Sequence, residues 1–492
     1  MMTTTDVFNF SEISLQDVEL GIRKLKSKTT IGPDGIPQYL VKGCSDVLKY
    51  PLQIIFNMSL QTLTFPERWK EALIIPIPKA ANIRDIQNFR PIAKLPTFCK
   101  VFESIIYHRI LTHVKPVISD FQHGFLPHRS TASNLATLTD HVAFEINKGQ
   151  QVDVVYTDFK KAFDTVNHDI LLQKLKMFNF SPSAIKIMAS YLSNRKLAVS
   201  YKSNISRSYN MTSGVPQGSN LGPLLFLMFI NDLPRTVTYS HTLLYADDLK
   251  LYKTIYCPAD CIALQKDINN VHEWCKANKL PLNIAKCKTM TFTYKKNVLM
   301  YPYNISGTEI ERPPIIKDLG VKFDPSLSFS EHIESTINEA YRNFGFVCRM
   351  GREFKNTATI QKLYYTYVRS KLEYCSIIWN PYTNKLILGI EKIQNKYMRY
   401  IVYKETGIYP KYDSTPDLIL NLGITSLENR RKLIDLLFLY KLLHSEVDSS
   451  DLASRISFRI PSLSTRPDNT VEYPKCQSKY IEEIIFVFVL WQ

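Results

Sequence analysis

The sequence predicts an α+β protein built around an antiparallel sheet, and three observations support that class. The mainly apolar segment from Val152 to Tyr156 is typical of a buried strand. Side chains alternate in character along "HTLLYADDLKLYK", which predicts two short strands joined at Ala246, Asp247 and Asp248. Between and around these strands, apolar residues recur at helical spacing, as in the amphipathic segment that begins near Asn167.

The composition indicates a basic, intracellular protein. The chain has 492 residues, with 61 Lys and Arg against 45 Asp and Glu, and the net charge of +16 favours a polyanionic partner. The 9 cysteines are scattered singly and the N-terminus carries no targeting signal, so we expect a reducing compartment, either nucleus or cytoplasm. The longest apolar runs fall short of the roughly 20 residues that a membrane span requires, so we expect no membrane partner.

The N-terminal third alternates helices with short strands. Residues 11–60 have helical spacing, and the Gly, Pro and Asp cluster "TTIGPDGIP" predicts a turn within them. Two short apolar, strand-like pieces follow and lie around Lys79 and Arg90. A helix is predicted from about Phe98 to Val114. Positive side chains therefore lie beside short strands in this part of the chain.

The remaining elements follow the strand that ends before Asp158. The Gly, Pro and Gln loop in "SGVPQGSNLGPLLFLMFINDLP" leads into an apolar helix, and the two strands around Asp247 come next. Helix, turn and strand are predicted for "ALQKDINNVHEWCKANKLPLNIAKCKTMTF", and a hairpin for "IKDLGVKFDPSLSFSEHI". Residues 334–412 contain 13 Lys and Arg against 6 Asp and Glu on helical patterns. Three of these cations are predicted to share one helix face: Lys392, Lys396 and Arg399.

Two adjacent carboxylates, Asp247 and Asp248, interrupt the apolar run at the predicted bend. A solvated turn would explain them, because Asp is a common turn residue. However, the strand that ends at Asp158 could bring a third carboxylate to the edge of the same sheet. Mg²⁺ prefers oxygen ligands and completes its shell with water and substrate phosphates. Three such carboxylates therefore suit a pair of magnesium ions that catalyse an in-line phosphoryl displacement.

Several stretches, in their order along the chain, resemble the motifs of reverse transcriptases encoded by non-LTR (LINE-type) retrotransposons, most of all jockey-type mobile elements. The palm motifs are "VYTDFKKAFDTVNH", "GVPQGSNLGPLLFLMFINDLP" and "LLYADDLKLY". "NFRPIAKLPTFCKVFESII" and "QHGFLPHRSTASN" are similar to fingers motifs, "KDLGVKFDPSLSFSEHI" to the primer-grip hairpin and "IEKIQNKYMRYI" to the thumb. The likeness covers about residues 10 to 440, and the common order of the motifs makes it specific.

The resemblance implies a right-hand polymerase fold with five successive regions. Residues 1–60 would form a helical N-terminal extension and residues 61–150 the fingers. Residues 151–333 would form the palm with its antiparallel sheet, and residues 334–440 a helical thumb. Residues 441–492 would be a C-terminal tail, whose abrupt apolar end suggests truncation.

The resemblance also implies an RNA-directed DNA polymerase that extends a DNA primer with deoxynucleotide triphosphates on an RNA template. Asp158, Asp247 and Asp248 would be the catalytic residues and the ligands of two Mg²⁺ ions, with Mn²⁺ as a substitute. The implied nucleotide-binding residues are Lys79, Arg90, Phe163, Gln217 and Lys286. The implied nucleic-acid-binding residues are Arg129, Lys392, Lys396 and Arg399.

Other functions remain open from the sequence. A catalytically inactive, RNA-binding remnant of a mobile element would keep the basic helices but lose metal affinity. An RNA polymerase with the same palm would have to admit ribose, which Phe163 disfavours. A maturase-like role would need a further basic domain after the thumb. A zinc site at Cys257, Cys261, His272 and Cys275 is conceivable, but the spacing suits no common zinc finger, and incidental cysteines on a helix are the simpler interpretation.

The chain departs from the family pattern in two respects. Leu126 stands where the family usually has Arg after "GF", although Arg129 is present in "HRST", so one template or fingers contact is expected to be weaker. No segment before the resemblance could form the endonuclease domain that such elements normally carry, which suggests a fragment of a mobile-element polyprotein.

Overall fold

The computed structural model describes residues 6–79, 85–202, 204–411 and 422–456. Helices and mostly antiparallel strands alternate along these residues, which confirms the α+β class predicted from the sequence. Within the described ranges, no helix combines the length and apolar character that crossing a membrane requires. The end of the predicted C-terminal tail, including its apolar run, lies outside the described residues.

The helices of the first half of the chain are α1 Leu15–Arg23, α2 Gln38–Gly43, α3 Ser45–Gln61, α4 Thr97–Val114, α5 Thr131–Asn147, α6 Ala162–Thr165, α7 His168–Met177, α8 Pro182–Leu192 and α9 Leu221–Ile230. Those of the second half are α10 Pro258–Ala277, α11 Ser330–Met350, α12 Thr357–Tyr364, α13 Ser370–Glu373, α14 Ser376–Trp379, α15 Asn384–Thr406, α16 Leu427–Leu443 and α17 Ser450–Ser454. A π-helical segment, Tyr365–Arg369, joins α12 to α13.

The strands are β1 Glu71–Pro78, β2 Phe89–Lys94, β3 Gln151–Thr157, β4 Lys196–Tyr201, β5 Asn204–Ile205, β6 Tyr209–Asn210, β7 His241–Tyr245, β8 Asp248–Ile255, β9 Lys288–Phe292, β10 Asn304–Ile305, β11 Thr308–Glu309, β12 Ile316–Asp318 and β13 Val321–Phe323. They form two larger sheets and two small hairpins, β10–β11 and β12–β13.

The central sheet has the order β7–β8–β3–β9, and all of its pairs are antiparallel. Thr157, the last residue of β3, pairs with Leu249, the second residue of β8. One residue further towards the edge of the sheet, Asp158 follows β3 and Asp248 begins β8. This register brings the end of the first strand and the turn between β7 and β8 to the same edge of the sheet.

The second sheet has the order β2–β1–β4–β5, with β6 also paired to β4. Strand β1 is antiparallel to β2, so that Ile77 lies opposite Arg90, and it is parallel to β4. Arg90 thus lies near the end of the β1–β2 hairpin in this sheet.

The central sheet is buried on both faces. Val155, Leu249 and Leu251 belong to a core that includes residues of α4, α8 and α9. Val152 and Val154 belong to a second core, which includes residues of α5, β12, β13 and the helices after residue 330. Because neighbouring side chains of a strand point to opposite faces, one short strand contributes to both cores.

Local sequence signals explain where the helices near this sheet begin. Ser130 and Ser133 exchange side-chain to backbone hydrogen bonds at the start of α5, which is a capping box. The Asn167 side chain accepts a hydrogen bond from Ile170 N at the start of α7, so the helix predicted from Asn167 begins there.

Most elements near the sheet were predicted to within one or two residues, including α4 and β3. The bend between the two strands differs in one detail, since Asp248 is the first residue of β8 and pairs with Tyr245. The turn therefore consists of Ala246 and Asp247 alone. Ala246 adopts a φ of 56°, the left-handed conformation that tight two-residue hairpin turns require.

Candidate active site

Asp158 is held at the end of β3 by the loop that precedes β9. Asn283 N donates to the Asp158 carbonyl oxygen at 2.7 Å, and Asn283 Nδ2 donates to Asp158 Oδ2 at 3.2 Å. Lys286 Nζ lies 3.5 Å from the same carboxylate oxygen. One oxygen of the carboxylate thus has polar partners from this loop. Sequence analysis missed Asn283, because its partner is 125 residues away along the chain.

The turn that carries Asp247 is held by a buried glutamine. Gln122 Oε1 accepts hydrogen bonds from Ala246 N and from Gly124 N, both at 2.8 Å. Gly124 packs directly against the turn, since a Cβ at this position would lie 2.3 Å from Ala246 N. Any side chain at position 124 would therefore displace the turn. Gln122 and Gly124, which belong to "QHG" in the predicted fingers motif, thus hold Ala246 in place beside Asp247.

The three carboxyl groups lie close enough for their charges to interact. Burial, with the negative charge of Asp158, raises the pKa of Asp247, while the charge of Arg90 opposes the rise. Burial also raises the pKa of Asp248 to about 7, and the charges of Asp247 and Asp318 add to that effect. A cation placed among these groups would relieve the repulsion that raises their pKa values.

The donor set fits a hard divalent cation, because every predicted ligand atom is a carboxylate oxygen. Among the described residues, however, no three Asp, Glu, His or Cys side chains are gathered closely enough to hold a metal ion by themselves. A catalytic magnesium site keeps positions for water and substrate phosphates, so a few protein ligands suffice. Metal binding by Asp158, Asp247 and Asp248 therefore stays a prediction.

Phe163, which follows Asp158 by five residues, lies in a stack of aromatic rings. Its ring stacks on Phe226 of α9 with 4.6 Å between the ring centroids and an interplanar angle of 25°. The ring of Phe125 meets it edge-on at 6.0 Å. Phe226 is buried, whereas Phe163 is half-buried and Phe125 is 47% exposed. The stack thus fixes the orientation of Phe163 and leaves part of its surface open to a ligand.

Gln217 lies in the loop between β6 and α9, and its carbonyl oxygen accepts a hydrogen bond from Ala93 N of β2 at 2.6 Å. Its Nε2 donates to Asp164 Oδ1 at 3.0 Å. Gly214 and Gly218 have φ values of 88° and 114°, and a Cβ on either would lie within 2.7 Å of a backbone carbonyl oxygen. A cavity of about 270 Å³ is lined by Asp164, Gln217 and neighbouring loop residues. Asp164 therefore orients the Gln217 side chain.

The two predicted fingers cations are both exposed, and their charges reach this region from the second sheet. Arg90 is near enough to Asp247 to lower the pKa of that carboxyl, against the effect of burial. Lys79 likewise opposes the burial-driven rise in the pKa of Asp164. The structure thus brings both cations to the side of the site that contains Gln217.

Lys286 lies in a different place from the other predicted nucleotide-binding residues. It lines a recess of about 460 Å³ between the end of β3, the start of β8 and the hairpin β12–β13. Asp158, Asp248, Lys288 and Lys317 line the same recess. This recess shares no lining residue with the cavity beside Gln217. Lys286 therefore meets the carboxylates from the side of β9.

The nucleic-acid contact predicted for Arg129 is corrected by the structure. Its side chain is only 8% exposed and lies 3.1 Å from carboxylate oxygens of both Asp120 and Asp448. It also donates to the carbonyl oxygen of Gln122 at 2.8 Å. A guanidinium with these partners is not available to a phosphate. Arg129 instead ties the segment that contains Gln122 to residues near the end of the described chain.

Two of the three cations predicted on one face of α15 are exposed, and their role in nucleic-acid binding stays a prediction. Lys392 and Lys396 are exposed on this helix, and the ammonium of Lys396 lies over the Tyr341 ring at 4.7 Å. Arg399 is buried, with its Nε donating to Asn395 O at 3.4 Å and its guanidinium near Tyr409. Helix spacing places Arg399 near the same face, but its side chain is packed among neighbouring groups, so a phosphate contact by Arg399 is not supported.

Comparison with known proteins shows which family and which relatives this chain resembles. Residues 77–323 match the family model described as "Reverse transcriptase (RNA-dependent DNA polymerase)". In Drosophila melanogaster, the chain is 29% identical over 404 residues to "Probable RNA-directed DNA polymerase from transposon BS", and 31% identical over 346 residues to "RNA-directed DNA polymerase from mobile element jockey". These alignments cover 79% and 68% of this chain. The Drosophila funebris jockey protein is 28% identical over 464 residues, or 90% of this chain.

The chain spans less than half the length of these curated relatives. The alignments cover 44% of the transposon BS protein and 37% and 49% of the two jockey proteins. All of the predicted catalytic and nucleotide-binding residues lie within the range that the family model matches.

Proposed function

The chain belongs to the reverse transcriptase family, and from that premise we propose that it is an RNA-directed DNA polymerase of a non-LTR retrotransposon. It adds deoxynucleotides to the 3′-hydroxyl of a DNA primer on an RNA template. The observation that carries the proposal is the edge of the central sheet, where Asp158 follows β3, Asp247 lies in the β7–β8 turn and Asp248 begins β8.

The regions of the chain correspond to a right-hand polymerase in this proposal. The second sheet and the hairpin β1–β2 act as fingers, and the central sheet with its covering helices acts as the palm. The helices from α11 to α16 act as the thumb, with the exposed Lys392 and Lys396 facing the duplex. Helices α1 and α3 pack against α4, α2 packs against α1 and α3, and together the three form the N-terminal extension.

The proposed chemistry assigns separate tasks to the two sides of the carboxylates. Arg90 and Lys79 neutralise the triphosphate of the incoming nucleotide, because a cation stabilises charge that develops on the leaving phosphates. Phe163 and Gln217 contact the nucleotide itself. Two Mg²⁺ ions held by Asp158, Asp247 and Asp248 would stabilise the attacking and leaving oxygens.

In-line displacement requires the attacking and leaving oxygens on opposite sides of the phosphorus atom. With the triphosphate towards Arg90 and Lys79, the primer terminus belongs in the recess between the carboxylates and the hairpin β12–β13. Lys286 and Lys317 line that recess and supply positive charge for the primer backbone. This assignment moves Lys286 from the nucleotide-binding role that the resemblance implies to the primer side.

The direct test is primer extension by the purified chain on an RNA template of mixed sequence. We expect Mg²⁺-dependent addition of deoxynucleotides complementary to the template, with Mn²⁺ as a weaker or less faithful substitute and no synthesis in EDTA. Binding of the RNA–DNA hybrid without any extension in either metal would overturn the proposal. That result would instead identify the chain as an inactive, RNA-binding remnant.

A further inference from the structure

A buried ion pair lies beside the proposed catalytic carboxylates and has no task in the proposed chemistry. Lys250 Nζ is 2.5 Å from Asp318 Oδ2, and the two side chains are 1% and 4% exposed. Lys250 follows Asp248 by two residues on β8, so the two side chains are on the same face of the strand. The ion pair therefore belongs to the wall of the site.

The pair joins three elements that come from distant parts of the chain. Lys250 Nζ also donates to Asn134 Oδ1 at 2.6 Å, and Asn134 Nδ2 donates to the Leu244 carbonyl oxygen at 3.1 Å. Asn134 lies in α5, Leu244 in β7 and Asp318 at the end of β12. One ammonium group thus connects the helix under the sheet, the sheet itself and the hairpin β12–β13.

The hairpin β12–β13 is also held at its tip. The Tyr374 hydroxyl donates to the Leu319 carbonyl oxygen at 2.8 Å. Gly320 has a φ of 96°, and a Cβ there would lie 3.0 Å from Tyr374 Cε1. Asp318 therefore fixes the base of the turn on the palm side, and Tyr374 fixes its tip on the thumb side. Neither end of this short turn can shift independently.

Stability alone does not explain a buried ion pair at this position. The cost of removing two charges from water often equals or exceeds their attraction, and apolar residues of similar volume are often as stable. What the pair adds is a fixed distance, because the attraction between two charges in contact depends steeply on their separation inside the protein. This matters for the recess of about 460 Å³, because Asp248 and Leu319 of the hairpin turn both line it and the ion pair fixes how far apart they lie.

We propose that Lys250 and Asp318 are positioning residues that set the height of the hairpin β12–β13 above Asp248 and thereby align the primer 3′-hydroxyl for attack. The proposal rests on the proposed function, since it assigns the recess to the primer. Neither residue touches the reacting atoms. Their contribution is to hold the wall against which the terminal nucleotide of the primer rests.

The test compares single-nucleotide insertion by wild type, Lys250→Met/Asp318→Leu and the control Lys253→Met. The double variant replaces both charges by apolar groups of similar size, so its Tm should stay within about 5 °C of wild type. We expect its maximal insertion rate to fall roughly 100-fold with the KM for the nucleotide unchanged, because a small misplacement of the attacking group acts on the rate. Discrimination against a mispaired primer end should fall as well.

Lys253 lies on the same strand and pairs with Asp260 at 3.5 Å, so Lys253→Met should keep the wild-type rate. A double variant with the wild-type rate and mismatch discrimination would overturn the proposal, as would one whose nucleotide KM rises in step with its loss of rate. If the double variant does not fold, Asp318→Asn decides by the same two criteria, because it keeps the shape of the side chain. Absence of extension by wild type itself would instead refute the proposed function.

Discussion

At the scale of single residues, Phe163 is packed between two neighbouring rings, and we propose that it selects the sugar of the incoming nucleotide. The ring rests on Phe226, and Phe125 packs against it edge-on, so it cannot rotate away from a ligand. It lies in α6, which begins four residues after Asp158. Gly214 packs against its carbonyl oxygen and closes the same corner of the site. In the proposed function, a flat ring at this position would leave room for hydrogen at the 2′ carbon of the incoming sugar and would exclude a hydroxyl group.

Phe163→Val should therefore raise ribonucleotide incorporation relative to deoxynucleotide incorporation by at least about tenfold. A steric clash of about 2 kcal/mol that is removed by the smaller side chain corresponds to more than tenfold in relative rate. Single-nucleotide insertion kinetics with matched ribo- and deoxynucleotides would measure the ratio. Phe163→Tyr keeps the ring and should keep the selectivity. Equal loss of both activities in Phe163→Val would mean that the ring supports the fold and selects nothing.

The residues at the site differ in how far sequence could identify them. Asp158 and Asp247 could be predicted because each adjoins a strand whose pattern is visible locally. Gln122 could not, because its contact with Ala246 spans 124 residues and no local pattern indicates it. Arg129 was misassigned for the same reason, since its partner Asp448 is 319 residues away. The sequence of a basic chain does not indicate which of its arginine side chains are buried.

At the scale of elements, α15 is the clearest candidate for contact with the nucleic-acid backbone. Its exposed side carries Lys392 and Lys396, while its packed side contributes Ile393, Tyr397 and other residues to the second core. The helix was predicted from its spacing, and the spacing also indicated the basic face. The edge of that face could not be predicted, because whether Arg399 is buried depends on how neighbouring helices pack.

Lys392→Gln/Lys396→Gln should weaken binding of an RNA–DNA template–primer and reduce its salt dependence. Each lost phosphate contact should lower the slope of log K against log salt by roughly one unit, because fewer counterions are released. Filter binding or fluorescence anisotropy at several salt concentrations would measure it. Lys186→Gln/Lys276→Gln removes two exposed lysines from α8 and α10 and should leave the slope unchanged. A slope equal to wild type in the α15 variant would mean that this face is merely solvated.

Helix α16 contains a buried carboxyl group that should make stability depend on pH. Burial raises the pKa of Asp435 to about 7, against the opposing charge of Arg431. The link between them is indirect, because Asn380 Oδ1 accepts from Arg431 Nε at 3.0 Å and Asn380 Nδ2 donates to Asp435 Oδ2 at 3.4 Å. Between about pH 4 and pH 7 the folded chain keeps a proton on Asp435 that the unfolded chain releases.

This group should therefore lower the free energy of unfolding by roughly 1.4 kcal/mol for each pH unit gained between about pH 4 and pH 7. Asp435→Asn removes the titrating group. The free energy of unfolding of this variant minus that of wild type should therefore rise from pH 5 to pH 7 and then level off. Chemical denaturation at several pH values would show the difference. The exposed Asp46→Asn is the matched control and should follow the wild-type curve. Parallel curves for Asp435→Asn and wild type would contradict the assignment.

At the scale of the whole molecule, the central sheet is the structure on which the site depends. It separates two cores, so the register of β3 against β8 is fixed from both faces. A slip by one residue would exchange the faces of every side chain and move Asp158 away from Asp248. The sequence predicted the strands and their antiparallel arrangement. It could not predict which surfaces of the helices and loops close the two cavities, because those contacts join segments that are far apart along the chain.

The most direct test of the central claim is primer extension on an RNA template by Asp247→Asn beside Asp169→Asn. Asp247→Asn removes one carboxylate charge from the proposed metal site and no packing group, so extension should be lost while hybrid binding and Tm stay near wild type. Asp169 is exposed in the first turn of α7, and its substitution should leave extension intact. Retention of more than a few per cent of the wild-type rate by Asp247→Asn in Mg²⁺ would contradict the claim that this edge of the sheet is the catalytic centre.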